Sequence, residues 1–195
     1  MNLLVSGVGG QGNILASDII GEVAMAAGYD VKKTDTLGMA QRGGAVVSHV
    51  RIAQEVYSPL IREGEVDILL AFEKLEAARW GYYLRQGGVA IINNHGLPPL
   101  SVSIGNELYP SDEDITKILG RSTDRVYFVE GTCRARELGN VRALNIFMLG
   151  CVSHLLPFKV SDWKAVISEH LKPNILQINL TAFESGRKEM NGYLR

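Results

Sequence analysis

The sequence predicts an α/β fold: a single Rossmann-like domain over residues 1–195, built on an open, mostly parallel sheet with helices on both faces. Three observations lead there. The run Leu3-Leu4-Val5-Ser6 delivers straight into Gly7-Val8-Gly9-Gly10-Gln11-Gly12, the pattern of strand, tight turn and helix. Two further runs, Val66 to Phe72 and Val89 to Asn93, are almost continuously apolar, as strands covered on both faces are. Between such runs apolar residues recur at helical spacing, so strands alternate with helices.

In chain order, the opening strand should lie centrally in the sheet. Asn13 to Ala27 follows as a helix, with Ile14, Leu15, Ile19, Val23 and Met25 on one broad face and Gly28 just past its end. Asp30 to Asp35 is extended, Thr36 to Gly44 breaks the pattern as a functional loop, and Ala45 to Ile52 is β-rich. In that strand Val47, His49 and Arg51 alternate against Val46, Ser48, Val50 and Ile52, so one side should be buried more deeply. Tyr57-Ser58-Pro59-Leu60-Ile61 is an irregular crossing, because Pro59 has no N–H to give a central ladder. Glu73 to Leu84 is helical, with Leu75, Ala78 and Tyr82 as core candidates, and Gln86-Gly87-Gly88 ends it.

Asn94 to Pro110 is rich in proline, glycine and serine and reads as a long loop with one short strand near Val102 to Ile104. Ser111 has N-cap chemistry for a helix to about Leu119, and Asp112, Glu113 and Asp114 sit at the positive end of its dipole. Val126 to Glu130 is a strand and Gly131 to Leu138 a short helix. Val141 to Leu155 is apolar throughout and should be a central packing helix, closed by Pro157. Asp162 to Leu171 and Ile175 to Met190 are amphipathic helices, and the polar tail Asn191 to Arg195 should fray.

With 46% hydrophobic and 21% charged residues the chain can bury one good core, and its formal net charge of -1 excludes a general electrostatic grip on nucleic acid or on an anionic membrane. It shows neither a basic leader nor a bilayer-length apolar run, so a soluble, cytoplasmic protein is expected. Cys133 and Cys151 are too far apart for a C-x-x-C pair, and two thiols do not by themselves hold an iron–sulfur cluster. Both are read as buried small apolar groups.

The glycine turn satisfies G-x-G-x-x-G, and Asp35 stands near the end of the next strand, where a ribose-binding acid belongs. Alone this says dinucleotide. The same turn equally serves any anion at a helix N-terminus, or a tight structural crossing. A dehydrogenase also needs a proton donor or acceptor, and His49, His95, His154 and His170 have no visible orienting partner. His49 and His154 read as structural; His95, in Asn93-Asn94-His95-Gly96, is the most site-like, with a plain turn residue as the simpler reading. The lysine of a G-x-x-x-x-G-K-[ST] loop is missing. In Gly38-Met39-Ala40-Gln41-Arg42-Gly43-Gly44, the Arg42 guanidinium can donate in a planar fork to phosphate or carboxylate, with the Gln41 amide beside it. A solvated loop arginine and a rigid surface for a partner subunit are the alternatives.

The glycine turn, Leu37 to Gly44 with Val46-Val47-Ser48-His49-Val50-Arg51, and Tyr57-Ser58-Pro59-Leu60-Ile61 together resemble the gamma-type domain of 2-oxoacid:ferredoxin oxidoreductases. Glu137-Leu138-Gly139-Asn140, Arg142-Ala143-Leu144-Asn145, Met148-Leu149-Gly150 and Asn179 to Glu184 are similar too, so the resemblance covers nearly the whole chain. Ala40 stands where serine is common in the family. The resemblance implies an auxiliary chain that holds no cofactor alone. A larger catalytic subunit would carry thiamine diphosphate and iron–sulfur clusters, decarboxylate an aryl 2-oxoacid of the indolepyruvate kind, reduce ferredoxin and pass the acyl group to coenzyme A. The G-D-G…N signature of thiamine diphosphate sites is absent from this sequence.

By the same resemblance the chain has no catalytic residue of its own. Gly7, Gly9, Gly10, Gln11, Gly12, Gln41, Arg42, Gly43 and Gly44 become candidate coenzyme A contacts, within a hetero-oligomer whose isolated small chain is able to self-associate. Neither nucleic acid nor membrane is among the partners. Two other readings stay open on sequence alone: a stand-alone NAD-binding Rossmann protein, and a non-catalytic structural subunit whose glycine loops touch only protein.

Overall fold

The central position of the opening strand follows from its composition. Leu3, Leu4 and Val5 are fully buried, with Leu3 and Val5 in one apolar core and Leu4 in another, as the two-residue period of a strand between two layers requires. The computed structural model describes residues 1–38, 44–99, 102, 104, 105 and 108–194. Among these, six strands form one sheet in the order β2-β3-β1-β4-β5-β6. They are β1 (Asn2–Val8), β2 (Asp30–Leu37), β3 (Ala45–Ala53), β4 (Val66–Ala71), β5 (Leu84–Asn93) and β6 (Val126–Val129). β1, β4, β5 and β6 run parallel, whereas β3 is antiparallel to both β1 and β2.

The α-helices among the described residues are α1 (Asn13–Ala26), α2 (Lys74–Trp80), α3 (Asp112–Leu119), α4 (Gly131–Glu137), α5 (Leu144–Val152), α6 (Val160–His170) and α7 (Pro173–Tyr193). One face of the sheet packs against a large core centred on Ile19, Ile20, Phe147, Trp163 and Phe183, from α1, α5, α6 and α7. The other carries a smaller core that includes Ala77, Ile115 and Leu119, from α2 and α3. α5 is the packing helix the sequence predicts, with every residue from Leu144 to Val152 buried, although it is shorter than Val141 to Leu155: Val141–Ala143 is a 3-10 turn and Ser153 ends the helix. Ser111 caps α3 in a reciprocal capping box with Asp114.

Several local expectations are corrected. On α1 the expected Ile19 and Val23 are fully buried, joined by Ile20 and by the small residues Ala16, Ser17, Gly21 and Ala24, but the terminal Ile14 and Met25 are exposed. The expected helix from Glu73 to Leu84 is shorter: α2 stops at Trp80, Gly81–Tyr83 is a 3-10 turn, and Gln86-Gly87-Gly88 lie within β5, which starts at Leu84. Leu75 and Ala78 are only half-buried and Tyr82 is exposed, while Glu73, Glu76 and Ala77 are buried. Apolar periodicity misleads there because those carboxylates are buried with hydrogen-bond partners of their own. The described part of Val102 to Ile104 is not a strand: Val102 N–H donates to the Pro99 carbonyl and Gly105 N–H to that of Val102, which makes successive turns. Thr36 and Leu37 belong to β2, not to a loop. Cys133 is exposed; only Cys151 is buried. The tail does not fray from Asn191, because α7 continues to Tyr193, whose hydroxyl donates to the Phe128 carbonyl of β6.

Candidate functional site

The parallel strands β1, β4, β5 and β6 all end at one edge of the sheet, and the segments that leave them there carry the site. β1 runs into the glycine turn. Gly10 and Gly12 have φ of +101° and +83°, the left-handed region that favours glycine, and Gly12 is the N-cap of α1 without a side-chain cap. Gln11 braces the turn: its Oε1 accepts the Val8 N–H at 2.7 Å and its Nε2 donates to the Phe72 carbonyl at 3.1 Å. Gly7 lies beneath, where a Cβ would stand 2.7 Å from both Asn13 Nδ2 and Gln11 Oε1.

The Phe72 carbonyl, at the end of β4, is also the acceptor for Asn93 Nδ2 at 3.0 Å, at the end of β5. That amide nitrogen also donates to Thr132 Oγ1, and Asn93 Oδ1 accepts the Thr132 N–H at the start of α4. Side-chain amides thus lock three strand ends together. Around them is a cavity of about 360 Å³, lined by Gly10, Gln11 and Gly12 on one side, His95 and Leu97 after β5, Thr132 on α4, and Val141, Arg142 and Leu144 on the approach to α5.

The lining favours anions. The α1 N-terminus faces it with no side-chain cap, and the exposed guanidinium of Arg142 and the hydroxyl of Thr132 are at hand. Asn145, 6% exposed, lies against Gly12, with its Nδ2 2.7 Å from where a Gly12 Cβ would be. Asn13 is 3% exposed and neither of its side-chain polar atoms has a hydrogen-bond partner. A larger groove, about 710 Å³, lies between the end of α1 and α6, but its lining, from Glu22 and Met25 to Glu169, holds none of the strand-end residues.

The structure brings the two glycine segments together. The Gly9 N–H donates to the Gly44 carbonyl at 2.9 Å, and Gly38 N–H to that of Ala45 at 2.7 Å, so the base of the 38–44 loop is fastened beside the turn. Gln41, Arg42 and Gly43 lie outside the described residues. Asp35 does not reach the site. β3 intervenes between β2 and β1, and the paired registers Asp35 to Ser48 and Ser48 to Val5 set Asp35 level with Val5, two strand spacings or roughly 10 Å away. Its carboxylate is spent on Ser48 Oγ at 2.5 Å and Lys33 Nζ at 3.0 Å.

Of the histidines, His49 is buried in β3, where its Nδ1 accepts the Ile61 N–H at 3.3 Å and burial pushes its pKa down. His154 is bonded to the Arg187 carbonyl and His170 to Glu22, both away from the cavity. His95 is the one in the cavity wall. Sequence reasoning missed Arg142, Thr132 and Leu97 as lining residues. Arg142 follows Asn140, whose side chain accepts its N–H at 3.1 Å, an Asx signal for a turn but not for a destination beside Gly12.

Residues 2–189 match the family described as pyruvate ferredoxin/flavodoxin oxidoreductase. The chain belongs to this family. It is 35% identical to the indolepyruvate oxidoreductase subunit IorB of Thermococcus kodakarensis over 98% of each chain. It is 38% identical to the IorB subunit of Archaeoglobus fulgidus, over 95% of this chain and 93% of that one. Among solved structures, the keto/oxoacid ferredoxin oxidoreductase gamma subunit of Geobacter sulfurreducens superimposes with a TM-score of 0.72 at 23% identity, covering 98% of both chains. The 2-oxoglutarate:ferredoxin oxidoreductase of Magnetococcus marinus, solved with 2-oxoglutarate, coenzyme A and succinyl-CoA bound, gives 0.76 at 21%, over 98% of this chain but 31% of that one. At those identities the structures establish the oxidoreductase gamma-subunit fold for this family member. Among its described residues no helix is long and apolar enough to cross a membrane.

Proposed function

We propose that this chain is the small, auxiliary subunit of an indolepyruvate-type 2-oxoacid:ferredoxin oxidoreductase and supplies one wall of its coenzyme A site. The observation that carries the reading is the 35% identity to an indolepyruvate oxidoreductase subunit over 98% of each chain. A larger partner subunit holds thiamine diphosphate and the iron–sulfur clusters; when bound there, they supply the decarboxylation and the electron path to ferredoxin. This chain's own thiols do not fit a cluster, since Cys133 lies exposed on α4 and Cys151 is buried on α5 with its thiol directed at the Gly186 carbonyl.

The part this chain plays is binding and orientation. The uncapped α1 N-terminus at Gly10, Gln11 and Gly12, with Arg142 across the cavity, suits the phosphates of coenzyme A. Gly7 and Gly9 shape the turn, and the Gly9 to Gly44 hydrogen bond fastens the end of the second glycine segment beside it. Gln41, Arg42, Gly43 and Gly44 are proposed as further contacts on the anion-binding chemistry of their sequence. The stand-alone NAD reading loses its acid at Asp35.

The test is to purify the chain together with its larger subunit and assay 2-oxoacid-dependent, coenzyme A-dependent reduction of a viologen dye. Activity should require both chains, and Arg42→Ala and Arg142→Ala should each raise the KM for coenzyme A. Full activity of the larger subunit alone, or tight NAD binding by this chain in calorimetry, would overturn the proposal.

A further inference from the structure

Glu73, the residue that follows Phe72 at the end of β4, is 1% exposed, and its carboxylate accepts three hydrogen bonds. Oε2 accepts the Glu76 N–H at 2.9 Å and so caps α2. Oε1 does a different job. It accepts the Leu97 N–H at 2.8 Å and the Tyr109 hydroxyl, two groups at opposite ends of the connection between β5 and α3.

Its neighbours act on the same two points. Lys74 N–H donates to the His95 carbonyl at 3.2 Å and Leu75 N–H to the Tyr109 oxygen at 3.2 Å, while Lys74 Nζ pairs with Asp112 at 2.6 Å. The Tyr109 ring lies so close to Gly96 that a Cβ there would be 3.0 Å from it. His95 and Leu97 are the cavity wall that faces the glycine turn.

We propose that Glu73 is a positioning residue for the ligand site: its Oε1, through Leu97 and Tyr109, holds the His95–Leu97 wall against the glycine turn. A helix cap needs one carboxylate oxygen. A buried carboxylate is costly unless both oxygens are hydrogen-bonded, and here both bonds to the second oxygen come from the wall and its clasp. This inference rests on the cavity being the coenzyme A site.

The experiment uses the assembled two-subunit enzyme, with coenzyme A as the probe and viologen reduction as the readout. Glu73→Ala should raise the KM for coenzyme A about tenfold, a loss of about 1.4 kcal/mol of binding, with kcat and the KM for the 2-oxoacid within about twofold. Tyr109→Phe keeps the Glu76 cap and the Leu97 bond and removes the Tyr109 arm of the clasp, together with the acceptor of the Leu75 N–H. It should therefore shift the same KM in the same direction, by less, and it keeps the proposal falsifiable should Glu73→Ala not assemble. Glu73→Gln retains one acceptor and should recover part of the loss. Amide hydrogen exchange at Leu97 should speed up in Glu73→Ala and Tyr109→Phe.

If Arg142→Ala raises the KM for coenzyme A while Tyr109→Phe and any assembled Glu73 variant leave it unchanged, the positioning role is wrong and the site reading stands. If Arg142→Ala also leaves it unchanged, the site reading falls and the positioning role with it.

Discussion

Gly150 on α5 and Gly186 on α7 each lie against the backbone of the other helix. A Cβ on Gly150 would stand 2.1 Å from the Phe183 carbonyl oxygen, and one on Gly186 2.0 Å from that of Phe147. Two helices that close have no room for a methyl group, and backbone does not move aside as a flexible side chain does. The pairing sets α7 against the sheet's largest core, from where Glu189 and Tyr193 reach Glu130 and Phe128 beside the site.

Gly150→Ala and Gly186→Ala should therefore each cost about 3 kcal/mol of stability by overpacking, read as a fall in the urea midpoint. Gly192→Ala, on the same α7 but with nothing within 4 Å of the new Cβ, should instead raise stability by about 0.5 kcal/mol through helix propensity. Equal effects at the three positions would refute the close-packing account.

Within the glycine turn, Gly10 has a φ of +101° and open space, whereas Gly12 has both a φ of +83° and Asn145 Nδ2 2.7 Å from its missing Cβ. Gly10→Ala should cost about 1 kcal/mol of backbone strain and Gly12→Ala about 3 kcal/mol. Asn145→Ala should remove part of the Gly12→Ala penalty, which a double-mutant cycle measures as coupling.

Burial holds the imidazoles of His49 and His154 below the ordinary 6.5, and the charge of Arg187 adds to the effect at His154. On acidification the unfolded chain takes up those protons first. Their contribution to stability is thus fully present above pH 6.5 and lost as the pH falls through the lowered folded values. Urea midpoints at pH 7.5 and 5.5 should differ less for His49→Gln/His154→Gln than for the wild type. An unchanged difference would count against the burial of both rings.

The thiols should react unequally. Cys133 is exposed on α4, while burial pushes the Cys151 thiol up and its Sγ donates to the Gly186 carbonyl. In the native isolated chain one thiol per molecule should react with an aromatic disulfide reagent within minutes, and Cys133→Ser should abolish that phase. Rapid reaction of both thiols would show α5 and α7 to be loosely packed.

The elements marked by backbone chemistry were legible in the sequence. The glycine turn, the end of α1 at Gly28 and the Ser111 cap are local, because a positive φ or an unpaired helix N–H demands particular residues within three or four positions. Val66 to Ala71 was legible because a strand between two layers carries apolar residues on both sides. The burial of Glu73 and Glu76 was not, since Leu97 and Tyr109 reach Glu73 only through folding, and Arg79 and Trp80, one turn from Glu76 on α2, bond it in the same way on an exposed helix face. Among the more distant lining residues His95 had a signal in its place just after a strand, and Arg142 and Leu144 lay in a segment that carries the family resemblance but did not show where it would fold.

The sequence by itself determined the alternation of strands and helices, the shape of the Gly7 to Gly12 turn and the family resemblance. Each rests on residue types at short spacing. Only the tertiary structure decided what meets at that turn. Strand order is set by long-range packing, and by setting β3 between β2 and β1 it takes Asp35 away from the site. The same packing brings Arg142 to within one cavity of Gly12 and spends a buried carboxylate at Glu73 on Leu97, in the wall of that cavity. No local rule of propensity encodes a meeting between residues so far apart in the chain.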